Sequence, residues 1–384
     1  MSTPSEVTTL TGPSAAELPG AQELAPRFPL TRNPAPAGDP QHDAVMGSLT
    51  FGVAFTDHMV RATWTPEQGW HGHRTEAFAP ITLSPAAAVL HYGQEIFEGL
   101  KAYRHADGSV WTFRPGFNAA RFNASARRLA MPLLPEEDFV ASLAALVRAD
   151  ERWVPGVEGS SLYLRPFMIA TEPFLGVRSA HELEYLLIAS PVGPYFVNGF
   201  QPVSIWVAQD YHRVGPGGMG AAKTGGNYAA SLLPQQEAYD KGFEQVCFLD
   251  AATNTHLEEL GGMNVFVVDA DGTVRTPALT GTILEGGTRA AILQLLRDSG
   301  RTVREETIEL AALLDQIRSG QVAETFACGT AAVITPMGRL AGEGFDVTVG
   351  DGRPGPITTE LYETLTDIQY GRRPDPHDWM YRLV

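Results

Sequence analysis

The stretch Gly217-Gly-Met-Gly-Ala-Ala-Lys223-Thr-Gly-Gly-Asn-Tyr228 places one lysine in a glycine-rich loop, just before a segment with the periodicity of an amphipathic helix. The neighbours of Lys223 are small or apolar, so we expect its ammonium group to be partly removed from water. A partly desolvated amine is a better nucleophile, and Schiff-base chemistry with a carbonyl compound requires one. Lys223 is therefore the leading candidate for a catalytic residue.

Two other interpretations of this loop stay open at the level of the residues. A phosphate-binding P-loop has glycine directly before its lysine, whereas Ala222 occupies that position here, and Gly225 and Gly226 separate the lysine from the helix. A flexible loop with a solvated lysine is the second alternative. The three interpretations of Lys223 can be distinguished only by the residues that the rest of the chain provides as its partners.

The composition is that of a globular protein that is long for a single core. The chain has 384 residues, of which 44% are hydrophobic and 19% are charged, and two domains are expected. The formal net charge is −16, from 28 Lys and Arg against 44 Asp and Glu. Because no basic cluster stands out, we do not expect nucleic acid as a partner. No apolar run approaches the length of a membrane span, so we expect no membrane partner and a cytoplasmic location.

Cysteines and histidines offer little for a metal or redox site. Cys247 and Cys328 lie far apart in apolar, strand-like contexts, so neither a disulfide framework nor a Cys-x-x-Cys site is expected. His71, His73 and Glu76 lie close together in sequence, and we interpret them as loop residues rather than ligands. No bound metal is expected.

The sequence pattern divides the chain into four parts. Residues 1–45 are rich in Pro, Ala and Ser with little periodicity, and they predict a mobile N-terminal arm. Residues 46–190 mix strand-like runs with helices and predict a smaller α+β domain, and the turn-rich residues 191–202 predict a linker. Residues 203–384 alternate β-branched runs with helices and predict a larger α/β domain. We expect the active site in the cleft between the two domains.

Particular runs predict particular elements within these domains. We expect strands over Ser161–Ile169, Gln245–Leu249 and Asn264–Val268, a helix over Pro135–Arg152, and helices beginning near Asn227, Gly287 and Ile308.

The chain also offers groups for a pyridine cofactor that carries an aldehyde, a phenolate and a phosphate. Its ring nitrogen calls for a buried carboxylate, and Glu258 and Glu259 are both candidates unless they form the solvated charge pair of a hairpin. A phosphate calls for N–H groups at a helix N-terminus. The segments 285–289 and 328–332 both supply glycine and threonine in such a place, and Arg121 could add a cation.

Six motifs together resemble those of the branched-chain amino acid aminotransferases, which are fold type IV pyridoxal-phosphate enzymes. They are Phe97-Glu-Gly-Leu-Lys101, Leu162-Tyr-Leu-Arg-Pro166, Ser190-Pro-Val-Gly-Pro-Tyr-Phe196, Lys223-Thr-Gly-Gly-Asn-Tyr228, Glu259-Leu-Gly-Gly-Met-Asn264 and Leu365-Thr-Asp-Ile-Gln-Tyr-Gly371. The resemblance runs from about Leu49 to the C-terminus, and only the predicted arm lies outside it. It implies a two-domain fold type IV architecture with pyridoxal 5′-phosphate as the cofactor.

The resemblance also implies roles for individual residues. Lys223 would hold the cofactor and serve as the base, Glu259 rather than Glu258 would face the ring nitrogen, and Tyr228 would face the phenolate oxygen. The positions that would contact the phosphate are Arg121, Gly287, Thr288 and Thr330. The implied substrate-binding residues are Phe51, Tyr92, Phe97, Tyr163, Arg165 and Ala331.

The chain departs from some family members at two places. The segment 330–335 has no Cys-x-x-Cys motif, which some animal members carry, so thiol control is not expected there. Gly262 stands where some members have a threonine near the cofactor. One hydroxyl contact to the cofactor is therefore not carried over.

The implied function is transamination. The amino group would pass between leucine, isoleucine or valine and 2-oxoglutarate through a pyridoxal-phosphate Schiff base on Lys223. A D-amino acid aminotransferase or an aminodeoxychorismate lyase of the same fold is an alternative, but neither is expected to carry both the motif at 97–101 and the one at 365–371. A protein that binds the cofactor without turnover is a further alternative. Family members are usually homodimers in which residues of one small domain approach the partner's site, so a homodimer is expected.

Overall fold

The computed structural model describes residues 10–194 and 199–384 and divides the chain into two compact units. The N-terminal unit comprises Leu10–Tyr195, Ala222–Gly225 and Asp367–Val384, and the C-terminal unit comprises Phe196–Ala221 and Gly226–Thr366. The chain passes from one unit to the other within the predicted linker at 191–202. The prediction placed 222–225 and 367–384 in the C-terminal domain, whereas their contacts assign them to the N-terminal unit, which therefore contains more residues than predicted.

The described part of the chain forms strands and helices in alternation. The strands are β1 (His58–Thr65), β2 (Gly69–Ala77), β3 (Glu95–Phe97), β4 (Leu100–Arg104), β5 (Val110–Phe113), β6 (Ser161–Ala170), β7 (Leu183–Val192), β8 (Val203–Ala208), β9 (Gln245–Leu249), β10 (Leu257–Leu260), β11 (Asn264–Asp269), β12 (Val274–Pro277), β13 (Val303–Glu306), β14 (Val322–Gly329), β15 (Val333–Gly342), β16 (Phe345–Thr348) and β17 (Met380–Arg382). The helices are α1 (Ala21–Leu24), α2 (Asp39–Met46), α3 (Ala88–Tyr92), α4 (Pro115–Arg128), α5 (Glu136–Ala149), α6 (Gly225–Ala229), α7 (Leu232–Asp240), α8 (Gly287–Asp298), α9 (Leu310–Arg318) and α10 (Pro356–Gln369).

An antiparallel sheet organises the N-terminal unit. Its strands follow the order β17-β5-β4-β6-β7-β1-β2, and β3 pairs with β6 beside β4. Because side chains alternate along a strand, Leu162 and Leu164 of β6 point into the core with Phe122 of α4 and Phe139 of α5. Tyr163, between those leucines, and Arg165, after the second, point to the opposite face of the sheet and are half-buried.

A sheet that closes on itself organises the C-terminal unit. The order is β10-β9-β8-β15-β14-β11-β12-β13, and β16 pairs with β15. The strands β8 and β9 run parallel to each other, as do β8 and β15, and the sheet closes where Glu259 of β10 pairs with Asn264 of β11. The closure is made by a short turn in which the Leu260 N–H donates to the Met263 carbonyl at 2.9 Å.

The elements that hydrophobic periodicity predicts are present, with shifts of a few residues at their ends. Strand β9 covers Gln245–Leu249 as predicted, β6 and β11 each extend one residue further, and α5 occupies 136–149 of the predicted 135–152. The helix predicted to begin near Gly287 does begin there. Within this helix Ile292 and Leu296 are buried and Leu295 is half-buried.

The structure corrects the prediction of a mobile arm for residues 10–45. Helix α1 and the turn after it bury Ala21, Leu24 and Phe28 in the core of the N-terminal unit. Farther along, the Asn33 N–H donates to His58 Nε2 at 2.9 Å and the Ala37 N–H donates to Asp57 at 2.7 Å. Prolines and alanines suggested a lack of structure, but a few large apolar residues suffice to anchor the segment. Residues 1–9 lie outside the described residues.

No helix in the described ranges combines the length and the apolar character that crossing a bilayer would take.

Replacing Phe28 with alanine tests whether this segment is part of the folded unit. The ring is fully buried and packs edge-on against His73 with the ring centroids 4.9 Å apart. We expect Phe28→Ala to lower the free energy of unfolding by about 3–5 kcal/mol, because it leaves a cavity, as measured by chemical denaturation. Leu30→Ala is the matched control, because Leu30 is exposed, and its effect should stay below about 0.5 kcal/mol. If both variants lowered the free energy of unfolding by an equally small amount, the result would favour the prediction of a mobile arm.

Candidate active site

The lysine loop is fixed through its backbone in the N-terminal unit. The Lys223 N–H donates to Ser125 Oγ at 2.9 Å, and its carbonyl accepts from the Phe97 N–H at 3.0 Å. The ammonium nitrogen lies 4.7 Å from the centroid of the Phe97 ring, a cation–π arrangement. Lys223 is half-buried. The loop therefore holds the lysine in one place while its side chain keeps some access to solvent.

Glu95 holds the two residues that follow the lysine. Its carboxylate accepts from the Gly225 N–H and, at 3.4 Å, from the Thr224 hydroxyl. Burial raises the pKa of Glu95 above its ordinary value, against the opposing effect of the Gly225 N–H. None of the six motifs includes Glu95, although it lies two positions before the motif that begins at Phe97.

Four of the predicted substrate-binding residues lie together with Lys223. The Arg165 guanidinium carbon is 4.8 Å from the centroid of the Phe97 ring, so the arginine and the lysine share one aromatic side chain. Arg165 Nη2 also donates to the Tyr163 hydroxyl at 3.0 Å, and the rings of Tyr163 and Phe51 lie 5.0 Å apart. The alternation along β6 produces this arrangement, because it places Tyr163 and Arg165 on the same face of the sheet.

Arg121 is held by a carboxylate that the sequence analysis missed. Its Nε and Nη2 each donate to an oxygen of Glu98 at 2.8 Å, and Asn118 Nδ2 also donates to that carboxylate at 2.8 Å. Glu98 is 0% and Arg121 4% exposed. Ser125, which holds the Lys223 N–H, follows Arg121 by one turn of α4, so both residues lie on one face of this helix. Glu98 is the second residue of the motif that begins at Phe97. Its position in that motif is the one feature of the sequence that could have indicated a role in the site.

Tyr92 is one of the two predicted substrate-binding residues outside this group, and the described contacts do not connect it to Lys223. It ends α3, is 41% exposed and donates its hydroxyl to the Leu175 carbonyl. Its ring centroid lies 6.2 Å from that of His91.

Glu259 is buried where the sheet of the C-terminal unit closes. Its Oε1 accepts from the Leu284 N–H at 2.9 Å and lies 2.8 Å from Arg213 Nη2. Its Oε2 accepts from Asn264 Nδ2 at 3.2 Å. Glu258 is also buried, so neither glutamate belongs to a solvated charge pair. The strand pattern separates the two carboxylates: Glu258 accepts from the Thr282 hydroxyl instead.

Arg213 was also missed by the sequence analysis. Beyond its ion pair with Glu259, it donates to the carbonyls of Gly220, at 3.1 Å, and Thr282, at 3.2 Å. The residue is buried, so it depends on these partners. Glu259 and Thr282 are distant from Arg213 in sequence, so the sequence around Arg213 does not indicate this role.

Tyr228 and the turn that carries Thr330 meet at the closing hairpin. A Cβ at Gly262 would lie 3.7 Å from Tyr228 Cε1, and one at Gly329 would lie 3.3 Å from the Gly262 carbonyl. Thr330 and Ala331 follow Gly329 directly and are half-buried. A threonine in place of Gly262 would add its side chain beside the Tyr228 ring, and this chain leaves that space open.

The start of α8 is joined to the same hairpin. A Cβ at Gly286, which caps this helix, would lie 2.1 Å from Asn264 Oδ1, so a larger residue there would displace the Asn264 side chain. Gly287 and Thr288 are the first two residues of the helix, and Thr288 is buried. Their N–H groups belong to the set at a helix N-terminus that lacks acceptors within the helix. The C-terminal unit thus gathers Tyr228, Glu259 and three of the four predicted phosphate-contacting residues, Gly287, Thr288 and Thr330, around one hairpin, whereas Arg121 belongs to the N-terminal unit.

The cysteines and histidines have structural surroundings. Cys247 and Cys328 are buried, and burial raises the pKa of the Cys247 thiol to about 12. His71, His73 and Glu76 lie in strand β2 and not in a loop as predicted. His71 Nδ1 lies 3.0 Å from the Gly69 carbonyl, and His73 Nε2 lies 3.7 Å from Asp138. Within residues 10–194 and 199–384, no group of three or more His, Cys, Asp or Glu side chains has an arrangement that could hold a metal ion.

Glu98→Gln tests the contribution of the buried Glu98–Arg121 pair. The variant keeps the shape of the side chain and leaves a buried guanidinium without its counter-charge, so the free energy of unfolding should fall by about 3–5 kcal/mol. Chemical denaturation measures it. Glu151→Gln breaks a more exposed ion pair, with Arg104 at 3.4 Å, and should cost less than about 1 kcal/mol. A loss for Glu98→Gln as small as that of the control would contradict the structural role.

The chain is similar to known proteins over most of its length. A family model described as amino-transferase class IV matches residues 95–340. The branched-chain-amino-acid aminotransferase of Mycolicibacterium smegmatis is 52% identical over 360 residues, which cover 93% of this chain and 98% of that protein.

Solved structures of similar proteins share the fold. The branched-chain amino acid aminotransferase of Escherichia coli matches with a TM-score of 0.71 at 27% identity, over 84% of this chain and 99% of that one. A T.th. branched-chain amino acid aminotransferase, complexed with N-(5′-phosphopyridoxyl)-L-glutamate, matches with a TM-score of 0.67 at 26% identity, over 84% of this chain and 98% of that one. The chain therefore belongs to the class IV aminotransferases and, within their fold type IV architecture, to the branched-chain amino acid aminotransferases.

Proposed function

We propose that this protein transfers the amino group of leucine, isoleucine or valine to 2-oxoglutarate and uses pyridoxal 5′-phosphate. One observation carries the proposal: the ammonium of Lys223 and the guanidinium of Arg165 lie against the same Phe97 ring. A nucleophilic amine and a cation for a carboxylate therefore lie on one aromatic side chain. A P-loop lysine or a freely solvated lysine would not call for this arrangement.

The residues present fit the cofactor group by group. Lys223 would hold its aldehyde carbon, Glu259 its ring nitrogen and Tyr228 its phenolate oxygen. The N-terminus of α8, where Gly286 leaves no room for a Cβ, has the N–H donors that a phosphate prefers. The residues that would bind the phosphate are Arg121, Gly287, Thr288 and Thr330. The complex of the T.th. relative with a phosphopyridoxyl compound supports this assignment.

The chain's own residues would perform the proton transfers. When bound, the cofactor supplies an electron-withdrawing ring that stabilises negative charge on the substrate's α-carbon. Lys223 Nζ would accept the α-proton and return a proton in the second half of the reaction. Glu259 would keep the ring nitrogen protonated, because Arg213, Asn264 and the Leu284 N–H hold its carboxylate in place.

The substrate residues suit two kinds of side chain. Phe51, Phe97 and Tyr163 give an aromatic wall for an aliphatic side chain. Arg165 offers a cation to the side-chain carboxylate of glutamate or 2-oxoglutarate. Arg165 is only half-buried, so part of its side chain is open to such a ligand.

An absorbance experiment tests the function and the role of Lys223. The purified protein, saturated with cofactor, should lose its visible absorbance when leucine is added and regain it with 2-oxoglutarate. In Lys223→Ala both changes should slow by at least about 100-fold, because the base is absent.

Lys241→Ala is the control for this experiment, because Lys241 is an exposed lysine that lies over Trp206. It should cycle like the unmodified protein. A visible band that ignores leucine would contradict the substrate class and favour a D-amino acid aminotransferase or a lyase. Absence of any band after reconstitution would contradict the Schiff-base role.

Arg165→Ala tests how the dual specificity arises. A lost charged hydrogen bond should reduce kcat/KM for glutamate and 2-oxoglutarate by about 10- to 100-fold, whereas leucine should change far less. Steady-state kinetics with each substrate measures the two effects. Arg104→Ala, which removes an arginine outside the Lys223 group, should leave the ratio unchanged. Equal losses for leucine and glutamate in Arg165→Ala would remove the proposed role.

The expected homodimer and cytoplasmic location remain part of the proposal. Exposed apolar side chains of the N-terminal unit, among them Phe55, Phe78, Leu90 and Tyr92, support a second copy as their partner. The rings of Phe55 and Phe78 stack 5.1 Å apart. In such a dimer Tyr92 would serve the site of the other protomer, which explains its separation from the Lys223 group.

A further inference from the structure

Glu95 lies on the face of the N-terminal sheet that carries Arg165. Alternate residues of one strand share a face, and so do residues directly opposite each other in neighbouring strands. Glu95 pairs with Ile169 and Phe97 pairs with Phe167, so all four share the face of Arg165 on β6. The row formed by Phe97 and Phe167 lies between Glu95 and Arg165 along the sheet. Both charged residues are half-buried.

Arg165 needs a counter-charge when an aliphatic side chain occupies the site. Its guanidinium lies over the Phe97 ring, and its Nη2 donates to the Tyr163 hydroxyl at 3.0 Å. Neither of these partners carries a net charge. The side chain of leucine excludes water and brings no charge of its own. Because a cation that loses water without an anion nearby is costly, a carboxylate belonging to the protein favours such substrates.

Glu95 is suited to supply that charge. Burial raises the pKa of the Glu95 carboxyl, whereas the Gly225 N–H, the Thr224 hydroxyl and the positive charge of Arg165 each lower it. Arg165 therefore favours the ionised form of Glu95, and the ionised carboxylate favours the guanidinium in return. The bonds from Gly225 and Thr224 also fix the position of the carboxylate.

Two other carboxylates near these strands are already paired. Glu184 of β7 lies opposite Ile169 on the same face, but it accepts from Arg61 Nη2. Glu98 is paired with Arg121. Both are therefore committed to another arginine, whereas Glu95 is held by neutral donors and keeps its charge for Arg165.

The lysines of this region have the same sign of charge as Arg165. Lys223 shares an aromatic neighbour with Arg165. Lys101 of β4 lies opposite Tyr163, on the face of Arg165. It is buried, and burial lowers its pKa to about 8. Positive charge on either lysine attracts the carboxylate of a substrate and does not replace the negative charge of Glu95.

We propose that Glu95 is a specificity-determining residue that balances aliphatic against dicarboxylate substrates. With an aliphatic side chain bound, Glu95 neutralises Arg165. With glutamate or 2-oxoglutarate bound, the side-chain carboxylate of the substrate approaches Arg165 against the negative charge of Glu95. The residue thus favours the first class and opposes the second. This inference rests on the proposed function, because it takes Arg165 as the residue that meets the substrate carboxylate.

Two unreactive analogues test the proposal. The compound 4-methylpentanoate has the carbon skeleton of leucine, and glutarate has that of 2-oxoglutarate. Neither has an amino or keto group, so neither undergoes transamination. Isothermal titration calorimetry with the cofactor-saturated protein measures both dissociation constants. Glu95→Gln should bind glutarate about 3- to 10-fold more tightly, on the scale of one charge acting in a partly exposed site. It should bind 4-methylpentanoate equally well or more weakly.

A structural role alone does not predict this change in preference. Glutamine keeps an oxygen that accepts from the Gly225 N–H, so the lysine loop keeps its support in Glu95→Gln. In an Arg165→Ala background, the same substitution should no longer change the ratio of the two dissociation constants, because the guanidinium on which Glu95 acts is absent.

Glu184→Gln is the matched control, because Glu184 lies on the same face and is paired with Arg61. It should leave the ratio unchanged. Thermal denaturation verifies folding, and Glu95→Ala, which also removes the charge, decides the question if Glu95→Gln does not fold. An unchanged ratio in the Glu95 variants would overturn this inference and leave the proposed function intact. If neither analogue bound to the unmodified protein, the result would contradict the proposed function and this inference with it.

Discussion

The buried guanidinium of Arg213 contacts three separate segments of the C-terminal unit. It pairs with Glu259 and donates to the carbonyls of Gly220 and Thr282. An arginine without these partners would be a buried, uncompensated charge, so the segments hold each other in place. Gly220 precedes Lys223 by three residues, and the constraint therefore also fixes the end of the segment that leads to the lysine.

Much of the fold could be predicted from the sequence because its signals are local. Alternation and helical spacing located β6, β9, β11 and the start of α8. Local composition also misled: the prolines and alanines before residue 46 suggested disorder, although Leu24 and Phe28 supply a buried apolar stripe four residues apart.

The rest depends on contacts between residues that are distant in sequence. Lys223 meets Phe97 across more than a hundred residues, and Arg121 of α4 meets Glu98 across the strands β4 and β5. Spacing cannot show such pairs. The resemblance to a family supplied most site residues, but it named those that would touch the cofactor and omitted Glu95, Glu98 and Arg213, which hold them in position.

The closure of the C-terminal sheet at Glu259 and Asn264 has a consequence for association between chains. An open edge strand presents unpaired N–H and C=O groups on which another chain can add a strand. Pairing β10 with β11 covers part of such an edge beside Glu259. The hairpin that carries a buried charge therefore also protects this part of the unit from templated strand addition, and loosening it would open a route to aggregation.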